Sequence, residues 1–415
     1  MNKEEGIIMD KILNQKIEKL DHFGRGIIKN DKDIIFVENA LPDDIVDIEI
    51  KKKKKNICEA DVINYQKRSN NYQESPCIYS NECGGCNIIN LIYNEQLLYK
   101  RQKVQELINK MLKEDIKVNE MINSKEEYFY RNKITIHGKD NILGLYKKKS
   151  NEIVEIHECK LVHKNINDTL KRIKEYQKNN KCQINDLIIK TTSLNESMIS
   201  IYGSMDYEDF RKEFQDIKVI ILNNQVITKD KYIKERLLNK EFYISNHSFF
   251  QVNMFTTEKL YQKVIDLVKK DNYKNCLDLY CGTGTITLLV SDYVDNVYGI
   301  EVVEDAIKDA NMNKDLNKKD NVNFILGKTE DHINKFKDID LIIVDPPREG
   351  LDKTTKENIK RISPKTIIYV SCEPSTLMRD LNDLKDQYII KEINTCDMFP
   401  NTYHVESIAL LEKNK

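Results

Sequence analysis

Residues 276–301 constrain this chain more than any other stretch. Cys276-Leu-Asp-Leu-Tyr280 is a short apolar run, followed by Cys281-Gly282-Thr-Gly284 and the helix-forming Thr285–Val290. A buried strand, a glycine turn and a helix in that order suit a nucleotide-like ligand, because bare backbone and a helix N-terminus face it. The next β-rich run, Val297-Tyr-Gly-Ile-Glu301, closes on a carboxylate 19 residues after Gly282. An acid at that distance stands at the neighbouring strand end, placed to accept both ribose hydroxyls. The glycine turn alone says little; joined to that acid it predicts a doubly wound, Rossmann-like cofactor domain over residues 241–415.

Further strand ends in the same region carry chemistry. Asp340–Val344 runs into Asp345-Pro-Pro-Arg-Glu-Gly-Leu351, where two prolines impose an extended, rigid turn at the sheet edge. Such a turn is often only structural, and its place after a strand favours substrate contact. Ile367–Val370 reads as a buried strand, and Cys372 follows it ahead of the helical Thr376–Leu384. Most single cysteines are packing residues. A thiol presented at the carboxyl edge of an α/β sheet is instead placed to act as a nucleophile, if its proton can be taken up nearby. Asn401-Thr-Tyr-His404-Val-Glu406 leads into the final strand, Ser407–Leu411, and brings a carboxylate. Cys372 and Glu406 at neighbouring strand ends make a nucleophile and a base.

Upstream the pattern changes. Short β-rich runs at Gly26–Ile28, Ile34–Val37, Ile45–Ile50 and Ala60–Ile63 are separated by turn residues. They predict a small OB-like barrel over residues 1–65. Lys51–Lys55 reads as a hairpin loop there, either solvated or in contact with phosphates. The segment holds 12 basic and 14 acidic residues, so only a local patch can attract nucleic acid. Residues 66–240 read as an α+β domain, with an amphipathic helix over Asn94–Leu112, a strand opening at Tyr130 and its hairpin partner at Leu143–Tyr146. Arg131 and Lys133 lie on that strand and face either a nucleic-acid groove or solvent.

Cys77, Cys83 and Cys86 are spaced C-x5-C-x2-C, with two glycines that let the loop fold back on itself. Cys159 is the candidate fourth ligand. From spacing alone a zinc site and an iron–sulfur cluster are equally open. The stretch Met1–Gly6 has no apolar leader, and no apolar run reaches the roughly 20 residues that span a bilayer. A cytoplasmic location with no membrane partner is the expectation. In that compartment the 10 cysteines are expected as metal, catalytic or packing residues rather than disulfides. The net charge of −1 decides nothing about nucleic acid, and a single chain is the default oligomeric expectation.

Taken together these residues resemble the bacterial RNA uracil-5-methyltransferases, nearly end to end, and most closely the branch acting on 23S rRNA. The resemblance rests on Phe250-Gln251-Val-Asn253, Asp278-Leu-Tyr280-Cys-Gly282-Thr-Gly284, Asp345-Pro-Pro-Arg, Ser371-Cys372-Glu-Pro and His404-Val-Glu406. It implies an N-terminal TRAM barrel that binds RNA and a central domain with a [4Fe-4S] cluster on Cys77, Cys83, Cys86 and Cys159. It also implies a C-terminal class I methyltransferase domain using S-adenosyl-L-methionine. By the same resemblance Gln251, Tyr280, Gly282, Glu301 and Asp345 hold or flank the cofactor, Cys372 is the nucleophile and Glu406 the proton acceptor. The RNA partner it implies is 23S rRNA ahead of tRNA.

The chemistry explains these residue types. Carbon 5 of uracil is a poor nucleophile; a thiolate added at carbon 6 makes it enolate-like, and a base must later remove the carbon 5 proton so that the thiol can leave. An amino-group methyltransferase also uses an Asp-Pro-Pro turn but needs no thiol. A non-catalytic iron–sulfur RNA-binding protein, and a cytosine-5 enzyme with a ring-protonating acid, are the remaining alternatives.

Overall fold

The computed structural model describes residues 10–30 and 32–414. Met1–Gly6, on which the expectation about a leader rests, lies outside them. The chain forms two compact units, one of residues up to Lys103 with Phe399–Tyr403, the other of Val104–Met398 with His404–Lys415.

In the first unit six strands form one sheet, in the spatial order Lys11–Lys16, Ile45–Lys54, Ile57–Lys67, Ile34–Val37, Gly26–Lys29, Lys19–Leu20. Ile28, Ile35, Val37, Val46, Ile48 and Ile50 bury their side chains in its core. Strand alternation drives this pattern, since residues two apart share a face. Lys51–Lys55 departs from the expected loop: Lys51 to Lys54 continue the strand, and the turn is confined to Lys55-Asn56. Lys53 lies 2.7 Å from the Asp33 carboxylate, and Lys51 is paired with Glu49. Part of the run's charge is therefore met locally. Cys77, Cys83 and Cys86 sit on an irregular segment of this unit, with the Gly85 N–H donating to Cys83 Sγ at 3.4 Å.

The second unit holds two seven-stranded sheets. The first runs Gln225–Val226, Val219–Leu222, Ser197–Ser204, Gln183–Thr191, Lys133–Lys139, Ile142–Tyr146, Ile153–Glu155 in space. Its helix, Lys164–Asn179, buries Ile166, Leu170, Ile173 and Tyr176 at helical spacing. Cys159 precedes that helix, its N–H donating to Asn167 Oδ1 at 2.9 Å. The expected helix from Asn94 is α-helical over Tyr93–Leu107 and then widens to π geometry over Ile108–Leu112, where Lys113 N–H reaches back to the Ile108 carbonyl.

The second sheet comprises β1 (Tyr273–Leu279), β2 (Val294–Glu301), β3 (Val322–Leu326), β4 (Leu341–Val344), β5 (Thr366–Ser371), β6 (Tyr388–Cys396) and β7 (Glu406–Lys413), in the order 3-2-1-4-5-7-6. The first five run parallel, and β7 enters antiparallel to β5. Helices α1 (Met254–Val268), α2 (Thr285–Val290), α3 (Glu304–Leu316), α4 (Lys353–Ile362) and α5 (Pro374–Leu384) accompany it. Every residue of β4 and β5 is buried, the signature of a parallel sheet covered on both faces. Leu277, Leu279, Ile342, Val344, Ile367 and Tyr369 pack with Leu377 and Leu381 of α5, each such side chain contributing about 1.5–3 kcal/mol. The strand order reverses between β1 and β4, so the ends of β1, β2, β4 and β5 converge on one edge.

Candidate active site

Strand register, more than any loop, assembles the site. Leu279 of β1 pairs with Ile300 of β2 on one side and Val344 of β4 on the other. Tyr280, Glu301 and Asp345 are thereby delivered to one edge. Val344 pairs with Tyr369 of β5, which sends Cys372 to that edge three residues later. Because β7 is antiparallel to β5, its first residue stands where β5 ends: Ser371 pairs with Ser407, so Cys372 and Glu406 continue the ladder as neighbours. Gln251 is buried beside them, ahead of α1, its carbonyl accepting from Asn132 Nδ2 at 3.0 Å. Asn253 caps α1 and ties down this segment, with Nδ2 donating to Ser124 Oγ and the Met398 carbonyl at 3.1 Å each.

The glycine turn is built for close approach. Tyr280, Gly282 and Gly284 all have left-handed backbone, φ 65°, 54° and 77°. A Cβ on Gly284 would lie 2.4 Å from Phe324 Cζ, whereas one on Gly282 meets nothing within 4 Å. Gly284 is thus a packing necessity and Gly282 borders open space. Glu301 Oε2 accepts from the Gly282 N–H at 3.1 Å, and Oε1 from the Val302 and Val303 N–H groups at 2.8 and 2.9 Å. The carboxylate is held rigid next to that opening. Behind it Asp278 is buried on β1, one oxygen accepting from the Thr287 hydroxyl and the other with no hydrogen-bond partner; burial pushes its carboxyl up to about 7.

The thiol and the carboxyls share one electrostatic problem. Burial pushes Glu406 up to about 8, with help from the Asp345 carboxylate and against the pull of Arg348. Burial alone lifts Asp345 to about 7. The Cys372 thiol is pushed up to about 12, first by burial and then by Glu406 and Asp345, while the Arg348 guanidinium bonds to it and draws it back. Near neutrality the thiol is protonated, and two carboxyls beside it titrate close to pH 7–8. Groups so placed can take up and return protons at little cost.

Two residues of this site have no role assigned from the sequence. Arg348, in the Asp345-Pro-Pro-Arg turn, is the cation of the cluster, visible only through its place in that turn. Tyr261 of α1 is buried, its hydroxyl bonded to the Gln251 side chain and facing Asp345, Glu406 and Asp278. In sequence it is indistinguishable from the apolar stripe of its helix. Of the expected metal ligands, Cys77, Cys83 and Cys86 belong to the first unit and Cys159 to the second. Among the described residues no group of three or more His, Cys, Asp and Glu side chains is disposed to hold a metal ion.

The sheet order and its edge site define a class I methyltransferase fold. Residues 92–414 match the family model for tRNA (uracil-5-)-methyltransferases, and residues 12–63 match that of the TRAM domain. The chain is 33% identical over 454 residues to an uncharacterised RNA methyltransferase of Staphylococcus epidermidis, covering 99% of each. A Staphylococcus aureus counterpart is 32% identical, with 98% of this chain and 99% of the relative covered. Among solved structures, the Pyrococcus abyssi tRNA (uracil-54, C5)-methyltransferase in complex with S-adenosyl-L-homocysteine is similar, with a TM-score of 0.81 and 26% identity, covering 96% of this chain and 100% of that one. This protein belongs to the tRNA (uracil-5-)-methyltransferase family and carries a TRAM domain. No helix among its described residues is long and apolar enough to cross a membrane.

Proposed function

We propose that this chain methylates carbon 5 of a uridine in RNA, with Cys372 as the nucleophile and Glu406 as the base. The observation that carries this reading is the pairing of a thiol and a buried carboxyl at adjacent ends of antiparallel strands, with Asp345 and Arg348 around them. S-adenosyl-L-methionine, when bound, supplies an electrophilic methyl group. The residues fit such a molecule: Glu301 is fixed to receive ribose hydroxyls, Gly282 leaves room beside it, and Tyr280, Gln251 and Asp345 border the same edge. The exposed apolar pair Val302 and Val303 offers a surface for a base ring.

Cys372 sulfur adds to carbon 6 of the uracil, and its proton passes to Asp345 as it adds, which leaves Glu406 ionised for the later step. Arg348 favours the thiolate by its charge. The electron pair thus placed on carbon 5 would take the methyl group from the sulfonium, leaving S-adenosyl-L-homocysteine, and carbon 5 then holds both a hydrogen and a methyl. Ionised Glu406 removes that proton, and the electron pair left on carbon expels Cys372 by elimination. The chain acts as a cytoplasmic monomer in three functional parts, residues 1–65, 66–240 and 241–415, the first two holding RNA. A [4Fe-4S] cluster on Cys77, Cys83, Cys86 and Cys159 is supported by sequence resemblance alone, and iron and sulfide analysis of anaerobically purified protein tests it.

The sequence resemblance favours 23S rRNA as substrate. The likeness to the Pyrococcus abyssi tRNA (uracil-54, C5)-methyltransferase favours tRNA as the second reading. The test uses 23S rRNA and tRNA transcripts made with 5-tritiated uridine, supplied with S-adenosyl-L-methionine. Tritium released to water from one of them, and not by Glu406→Gln, supports the reading and names the substrate. Methyl incorporation without tritium release contradicts it and points to amino-group methylation.

A further inference from the structure

Away from the catalytic edge, the second unit carries a groove of about 1010 Å³ beside the helix Lys164–Asn179. Lys171, Lys174 and Lys178 recur at helical spacing along one side of that helix, and Lys181 continues the line past its end. From Lys171 to Lys181 the row extends about 15 Å at helical rise. Lys174 is already engaged, 2.6 Å from Glu155 and 3.0 Å from the Ile156 carbonyl. Among the described residues Lys171, Lys178 and Lys181 have no acidic partner. Counting Glu155 and Glu175 against the four lysines leaves the groove two positive charges in excess, in a chain whose net charge is −1. The rest of the lining is amide and hydroxyl, save for Cys182 and His157. Gln177 is 8% exposed, and its Nε2 is a buried donor with no acceptor.

We infer that this groove binds the phosphodiester backbone of the RNA substrate, outside the catalytic edge and without reading its sequence. Unpaired cations in a row, with hydrogen-bonding side chains between them, suit a repeating anion with ribose oxygens. Three free ammonium groups over that length match two or three consecutive phosphates. The inference rests on the proposal that RNA is the substrate, and deepens it: affinity held in this groove raises the local concentration of RNA without touching the chemical step.

The test is fluorescence anisotropy of a fluorescein-labelled oligouridylate of about 20 nucleotides on the full chain, from low to physiological salt. The variant is Lys171→Gln/Lys178→Gln/Lys181→Gln, with the corresponding triple arginine variant as control. Loss of three phosphate contacts makes the slope of log affinity against log salt shallower by about two and weakens binding tenfold or more at low salt. The arginine variant keeps both. An unchanged slope in the glutamine variant overturns the inference, as does displacement of the RNA by micromolar inorganic phosphate, which marks a small-anion site. In parallel, covalent trapping on RNA containing 5-fluorouridine is followed at saturating RNA. The glutamine variant forms as much adduct as the unmodified chain but needs more RNA to do so. If neither traps RNA while the salt slopes still differ, the uracil reading fails and the groove stands.

Discussion

Substituting Glu406 with glutamine separates what the residue costs the fold from what it gives the reaction. Its carboxyl rises from 4.5 to about 8 in the folded chain, chiefly through burial. A shift of that size corresponds to about 5 kcal/mol between the two protonation states. The sign follows from linkage. Between the two values the folded chain holds a proton that the unfolded chain has lost, so stability is full below pH 4.5 and falls as pH rises, levelling off above about 8. Asp345 titrates in the same range, so the share belonging to Glu406 is about 3–5 kcal/mol. Glu406→Gln keeps the shape and removes the ionisation. Denaturant midpoints of the two proteins should nearly coincide at about pH 5, and the variant should be the more resistant at about pH 9. Its turnover, read as tritium released from carbon 5, should fall by roughly 10²–10⁴, the usual loss for a general base. A variant destabilised equally at both pH values would refute the reasoning, because Glu406 would then be a satisfied structural carboxyl.

Other consequences can be measured on the same preparation. The single-turnover rate of tritium release from carbon 5 at saturating RNA and S-adenosyl-L-methionine should rise with pH through about 8 as Glu406 ionises, and this limb should vanish in Glu406→Gln. Gly284→Ala meets Phe324 at 2.4 Å in left-handed backbone and should destabilise the chain by about 2 kcal/mol or more, read by urea titration. Gly282→Ala has open space and only backbone strain, about 1–2 kcal/mol, and should show mainly as weaker S-adenosyl-L-methionine binding by calorimetry. Asp380 is buried, accepts from the Tyr369 hydroxyl and the Leu351 N–H at 2.8 Å each, and pairs with Lys356 at 3.0 Å. Asp380→Ala unpairs all three at the base of the Asp345–Leu351 turn, and should cost about 3–5 kcal/mol in denaturant titration.

What the sequence reveals here follows from how local the signals are. Strands β1, β2, β4 and β5 are short apolar runs punctuated by glycine, proline or acid, so their ends, and Tyr280, Glu301, Asp345 and Cys372 upon them, can be read directly. Glu406 is legible as a carboxylate opening a strand, but its neighbour is settled by the antiparallel entry of β7 beside β5, a pairing across some 35 residues of chain. Tyr261 is hidden for the opposite reason. Its helix periodicity is strong, and a hydroxyl on the buried face reads as packing. Lys51–Lys54 misleads because charge usually marks loops, whereas a strand exposed beyond its core carries lysines without penalty. In the central sheet, Lys133–Lys139 pairs with Gln183–Thr191 at a separation no local pattern encodes.

The central claim is that Cys372 bonds to uracil during methyl transfer. Its most direct test is mass spectrometry of the chain incubated with S-adenosyl-L-methionine and RNA containing 5-fluorouridine, whose carbon 5 fluorine cannot leave as a proton does. A stable adduct should form on Cys372 and be absent from Cys372→Ala. Methyl transfer by Cys372→Ala at the native rate, or an adduct on any other residue, would contradict it.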